Sequence, residues 1–260
     1  MVRLIERDLH ALDWLGVVRL TNMQGLRWVL GALNGTGGPV TVRKAQRWAA
    51  RMEEAGRVKR GQQSTVGGSL VWVTHDESGK SAPDLFRQTT RHEVSVSLAA
   101  ARFSADGWGW SLDRASTKRG EHQGDGVATF VDDDVSVAYV VEVELTPKTR
   151  QRYVQIFKAL EYRVEDNEVS GVVYLCTPDS ARAVRAALSD PVVGPRVGEY
   201  VTVVDVYDRM GSWDEETVPG WMTNLRAPAG SPKAGEPSTA TPETSSSSSL
   251  WLRNGGQSVD

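Results

Sequence analysis

The chain has 260 residues, of which 40% are hydrophobic and 24% charged, with a formal net charge of -3. That suits one large domain or two small ones, and nine tryptophans, mostly beside apolar neighbours, make a real core available. A single cysteine, Cys176, excludes a disulfide framework and fits a reducing compartment; no apolar run approaches the roughly 20 residues that cross a membrane, and no signal-peptide pattern opens the chain. A soluble, cytoplasmic protein without a membrane partner is expected.

Charge is unevenly spread. Residues 1–75 carry 11 Lys/Arg against 5 Asp/Glu, a balance of +6, and the remainder carries 19 against 28, a balance of -9. A basic module joined to an acidic one points to nucleic acid at the basic end. Leu4, Leu9, Leu12 and Leu15 fall near helical spacing in residues 3–15. Thr21 is expected to cap a second helix running to Leu30, and Asn34 to Pro39 is a turn-rich break. Thr41 is expected to cap a third helix, Val42 to Ala55, stopped by Gly56. Its apolar stripe is Val42, Ala45, Trp48 or Ala49, Met52 and Ala55, while Arg43, Arg47 and Arg51 recur every four residues on another face. Two β-like runs follow, Arg57 to Gly61 and Ser69 to Thr74.

Three helices and a hairpin within residues 1–76 match the plan of a winged helix-turn-helix domain. In that plan the third helix enters the major groove and the hairpin touches the DNA backbone or minor groove. Arg43, Lys44, Arg47 and Arg51 would meet phosphates or guanine edges of double-stranded DNA, with Lys59 and Arg60 on the wing. Two plainer readings stand beside this one: a solvated arginine face on an ordinary helix, and a winged helix used for protein interaction. A homodimer on a palindromic site is compatible with the plan, although no heptad fixes one.

Residues 85–210 read as a second, α/β domain. The expected order is a helix to Phe103, a strand around Trp108 to Asp113, a strand Val127 to Val131, a strand ending at Glu144, and a helix Arg150 to Arg163. A strand Val169 to Cys176, a helix Asp179 to Leu188 and a strand Tyr200 to Val206 complete it. The last two strands are nearly continuous β-branched runs, so a mixed sheet covered on both faces is expected. Cys176 lies within the apolar run Val172 to Cys176 and reads as a buried structural thiol.

Most of the chemistry lies in Val137 to Arg152. Strand side chains alternate, so Glu142 and Glu144 point to one face, and Lys148 follows just beyond. Gly124-Asp125-Gly126 opens the preceding strand and can bring a third carboxylate beside them. Asp125, Glu142 and Glu144 form a candidate catalytic and metal-binding set for Mg2+ or Mn2+, with Lys148 neutralising a phosphate. For an isolated Glu-x-Glu, a solvated strand end is the commoner reading. On the first helix a lone His92-Glu93 pair is more often structural, and Glu93 is a weak candidate. From Ala227 to the end the chain is rich in Pro, Ser, Thr and Gly and reads as a disordered tail; Leu250-Trp251-Leu252 within it is either a docking motif for a protein partner or an incidental apolar patch.

The order of an Asp on one strand, then acids and a lysine on the next, resembles the PD-(D/E)xK nuclease-like fold. The winged-helix pattern, the His92 helix, Trp110-Ser111-Leu112-Asp113-Arg114, Gly124-Asp125-Gly126 and Glu142-Val143-Glu144-Leu145-Thr146-Pro147-Lys148 together resemble the replication-relaxation family. The resemblance covers about residues 5–205. It implies a DNA-binding role in replication, relaxation or mobilisation of an actinobacterial or other Gram-positive plasmid, integrative element or phage, with a nuclease-like second domain. Three positions depart from the pattern. Gly124 replaces a proline, Asp113 stands at a Glu position, and Glu144 occupies the place of the catalytic lysine. Lys148 lies roughly 13 Å farther along an extended strand and would have to fold back after Pro147. The resemblance thus favours a DNA-binding protein with a degenerate nuclease domain. The alternatives are a Mg2+-dependent endonuclease or nickase, and an interaction protein that targets a host factor.

Overall fold

The computed structural model describes residues 3–63, 68–114, 122–132, 135–191 and 194–226. It is a mixed α+β protein with two sheets. The first unit runs α1 (Glu6–Val18), β1 (Leu20–Asn22), α2 (Met23–Ala32), α3 (Val42–Glu54), β2 (Val58–Gln63) and β3 (Gly68–Val73). Its strands pair antiparallel in the order β1-β3-β2, with Leu20 opposite Trp72 and Val58 opposite Val73.

Local expectations change at Thr21, Leu9 and Val42. Asn22, not Thr21, caps α2 and accepts from the Gly25 N–H at 3.0 Å. Residues 20–22 extend first because they pair with β3, and Thr21 is buried against Ser97, whose hydroxyl donates to it at 2.9 Å. On α1 the inward face is Asp8, Ala11, Leu12, Leu15 and Val18, while Leu9 is exposed. The start of α3 is as the sequence indicates: Thr41 caps it by accepting from the Lys44 N–H. That helix buries Ala45, Trp48, Ala49 and Met52, whereas Val42 is exposed.

After the one-turn α4 (His75–Ser78), the second unit runs α5 (Thr90–Ala105), β4 (Gly109–Ser111), β5 (Gly126–Asp132), β6 (Val135–Glu144), α6 (Arg150–Glu165), β7 (Gly171–Cys176), α7 (Pro178–Leu188), α8 (Gly194–Val197), β8 (Val201–Asp205) and α9 (Gly220–Asn224). The sheet order is β4-β5-β6-β7-β8, antiparallel through β6 and parallel from β6 to β8. Odd positions of β6, including Val141 and Val143, join Val173 and Leu175 against Val94, Leu98 and Phe103 of α5. Val140, Tyr174 and Cys176 pack on Tyr153, Phe157 and Leu160 of α6 and Val184 of α7. The sheet is covered on both faces, as its β-branched strands require.

The two units share their cores. Ala100 and Ala101 of α5 belong to the cluster built by α1, α2 and α3, and Leu20, Leu70 and Trp72 belong to the cluster over the large sheet. Residues beyond 206 complete that second cluster through Tyr207, Trp213, Met222 and Leu225. Arg102 sits at the junction, fully buried, with its guanidinium 5.0 Å from the Trp28 ring and 4.4 Å from the Trp213 ring. It donates to the Trp213 carbonyl, and burial draws its pKa down to about 10.

Candidate functional site

Two regions carry the sequence-derived candidates. At the end of β6, alternation turns Glu142 and Glu144 to the face covered by α6 and α7, opposite Tyr174 and Cys176 in register. Both carboxylates are buried. Glu142 meets His122, with Nε2 and Oε1 2.6 Å apart. Lys148 does fold back: its ammonium donates to Glu144, and its backbone N–H donates to the Tyr153 hydroxyl at 3.0 Å. Asp125 takes a third position. Its Oδ2 accepts from the Val143 N–H at 2.7 Å and lies 3.3 Å from His92 Nε2. His92 therefore reaches the cluster, while Glu93 accepts from Thr89 outside it.

Asp113 is the fourth acid. It is buried and held by both terminal nitrogens of Arg163, at 2.8 and 3.0 Å. The Gly124 N–H also donates to it at 2.6 Å. Glycine suits this position: a proline would have no N–H to give, and a Cβ at residue 124 would lie 2.4 Å from Val140 Cγ1.

Burial sets the electrostatics. It pushes the Glu142 carboxyl above its usual range, with His122 only partly opposing and Asp125 adding to the rise. Glu144 is raised for the same reason, partly opposed by Lys148. Burial alone would lower the His92 pKa, but the hydrogen bond and charge of Asp125 outweigh it and the pKa is raised. Burial pushes the Cys176 thiol up to about 12, as befits a packing residue.

Each acid thus faces its own protein partner: Glu142 with His122, Glu144 with Lys148, Asp125 with His92 and Asp113 with Arg163. Among the described residues no group of three or more His, Cys, Asp or Glu side chains comes together as a metal site. As arranged, the carboxylates do not present the convergent oxygen set that Mg2+ or Mn2+ takes. His122 and Arg163 were invisible to sequence reasoning, since their partners lie 20 and 50 residues away.

The second region is the exposed face of α3. Arg43, Lys44 and Arg47 are exposed, and none of their side chains has a hydrogen-bonding or ionic partner among the described residues. Lys59 on β2 is exposed as well. Arg51 and Arg60 differ from the expected ladder and wing. Arg51 bonds the buried Asp8 at 2.6 Å, beside Trp48 Nε1 at 2.9 Å, because a carboxylate shut under α3 needs a cation. Arg60 Nε is held by Glu53 at 2.7 Å. A cavity of about 260 Å³ beside α3 is lined by Arg7, Lys44, Arg47 and Arg51. The hairpin tip, residues 64–67, and the tail from residue 227, with Leu250-Trp251-Leu252, lie outside the described residues.

Comparison with protein-family models, curated proteins and solved structures finds no match to this chain. No helix among the described residues is long and apolar enough to cross a membrane.

Proposed function

We propose that this protein binds double-stranded DNA through a winged-helix unit spanning residues 3–73, and that its second unit is a nuclease-like fold retained as a structural partner. One observation carries the reading. Most arginines of the first unit are tied to protein acceptors, yet Arg43, Lys44 and Arg47 stand together on one exposed helix without any among the described residues. Cations left unpaired on one surface are available to phosphates. The element order α1-β1-α2-α3-β2-β3 and the sheet order β1-β3-β2 support the winged-helix plan. The replication-relaxation resemblance supplies the setting: replication, relaxation or mobilisation of a plasmid- or phage-type element. Duplex binding measured across a salt series tests it. Wild type should bind with a steep salt slope, and Arg43→Ala with Arg47→Ala should weaken binding on all sequences and flatten that slope. Unchanged affinity in the double variant would remove α3 as the reader.

A metal-dependent nickase is the second reading, favoured by the return of Lys148 to Glu144. Supercoiled plasmid incubated with Mg2+, Mn2+ or EDTA separates the two. Nicking that needs metal and disappears in Asp125→Ala would make the protein an enzyme, whereas retarded but intact plasmid in every arm keeps it a binder.

A further inference from the structure

The acidic second unit contains a pocket of the opposite charge. Beside the end of β6 lies a cavity of about 580 Å³, whose lining includes Phe86, Arg87, Gln88, Arg91, Glu144 and Lys148. Among the described residues its one lining acid, Glu144, is already held by Lys148. Arg87 has only a long contact to Asp84, at 3.7 Å, and the Arg91 guanidinium has no acceptor among the described residues. His92 is also on the wall, with its imidazole 3.3 Å from Asp125. With Lys148 and His92 matched by acids, Arg87 and Arg91 leave the wall an excess of positive charge, which suits an anion.

Phe86 supplies the second half of the argument. It is 86% exposed at the rim of this pocket, where a large apolar ring gains nothing from the fold. A flat ring beside guanidinium groups is the combination that holds a nucleobase and its phosphate. The volume falls in the range that takes a small organic ligand, larger than a bare phosphate needs. A base inside a duplex is stacked on both faces and cannot lie on Phe86, so the fitting ligand is an unpaired nucleotide.

We propose that this pocket binds one unpaired nucleotide unit of a single strand, with its phosphate held by Arg87 and Arg91, its base stacked on Phe86 and Gln88 within reach of the base edge. The site is separate from α3 and does not depend on α3 reading duplex DNA. With both present, the protein would hold a duplex and an adjoining unpaired strand at once.

The test uses the full chain and a fluorescein-labelled oligothymidylate followed by anisotropy. Wild type should bind, and Phe86→Ala should weaken binding by about tenfold or more, with Phe86→Trp restoring it. Phe86 is exposed, so its removal does not threaten folding. Arg91→Gln should weaken binding and lower the salt slope by roughly one contact's worth, about 0.7. Arg47→Ala should leave oligothymidylate binding intact while weakening duplex, which keeps failure of this site distinct from failure of the α3 reading. Thymidine monophosphate and inorganic phosphate serve as competitors. Displacement by the mononucleotide at lower concentration than phosphate supports the pocket; if its affinity matches the oligonucleotide's, the ligand is a free nucleotide. Equal competition by phosphate, unchanged binding in Phe86→Ala, or no binding by wild type would overturn the proposal.

Discussion

The arginine face of α3 and the carboxylate cluster at the end of β6 handle charge in opposite ways. On α3, three cations stand in solvent without a protein partner among the described residues, and the one acid beneath that helix, Asp8, is satisfied by Arg51, Trp48 and the Ile5 N–H. At β6, three acids are buried and a fourth, Asp125, is part exposed, and each is met by a protein partner. Unmet charge at a surface costs little because water solvates it, so such a face can be kept for a partner. Charge taken inside must be matched on the spot, and a matched acid is no longer free to work. That contrast is why we propose partner binding on α3 and a stabilising role for the β6 cluster.

The largest break in that comparison should come from Asp113→Ala. It strips the bidentate partner from Arg163, whose side chain is only 11% exposed, and leaves the Gly124 N–H without its acceptor. Glu168 still holds one edge of the guanidinium, so the expected loss is about 3 kcal/mol, seen as a lower urea midpoint with an unchanged slope. Full stability in this variant would mean that the cluster is not structural.

Asp8→Ala should cost less, about 2 kcal/mol, because Arg51 is already part exposed and can turn to water. The same variant sharpens the account of α3. If Arg51 serves only to hold Asp8, its release adds a free cation to the exposed face, and duplex affinity should hold or rise while stability falls.

Much of this was legible in the sequence. Most helices and strands of residues 85–210, though not the short α8, follow the runs read there, because apolar runs such as Gly171–Cys176 leave few alternatives for a sheet covered on both faces. The carboxylate pair on one face of β6 followed from strand alternation alone. Partner choice did not follow. Arg51 finds Asp8 43 residues away, and Arg163 finds Asp113 50 residues away; helical periodicity shows that an arginine recurs, not which way its head turns. The strand Leu20–Asn22 was equally hidden, since three residues show no period and extend only because β3 pairs with them. The joining of the two units through α2 and α5 escaped for the same reason: Arg102 reads as a surface residue until Trp28 and Trp213 close over it.

A smaller effect is expected on the solvent side of the comparison. Arg43→Ala or Arg47→Ala should leave thermal stability within about 0.5 kcal/mol of wild type, since neither side chain has a described partner to lose. Each should lower the salt slope of duplex binding by about 1. Destabilisation by either would show that the face is built into the fold after all.

The finest test reads slopes against pH, and the two regions should tilt in opposite directions. Burial pushes against ionisation of Asp8, but Arg51, the Ile5 N–H and Trp48 outweigh it, so its folded pKa lies below the ordinary 3.8. The unfolded chain then binds more protons in that window, and stability falls as pH drops through the folded value. Glu142 is the reverse. Burial outweighs His122, its folded pKa lies above 4.5, and the folded chain holds the proton more tightly. Stability contributed there falls as pH rises from 4.5 through the folded value and stays lower above it. His92 tilts the same way at higher pH: its raised pKa gives stability that is complete below 6.5 and is lost as pH climbs through the folded value. Urea titrations from pH 3 upward should therefore show an acid-side rise that Asp8→Asn removes and a later decline that Glu142→Gln reduces. Gln keeps the shape and an acceptor for His122 but cannot ionise, so a decline that persists unaltered in Glu142→Gln would take the buried charge at β6 out of the stability profile.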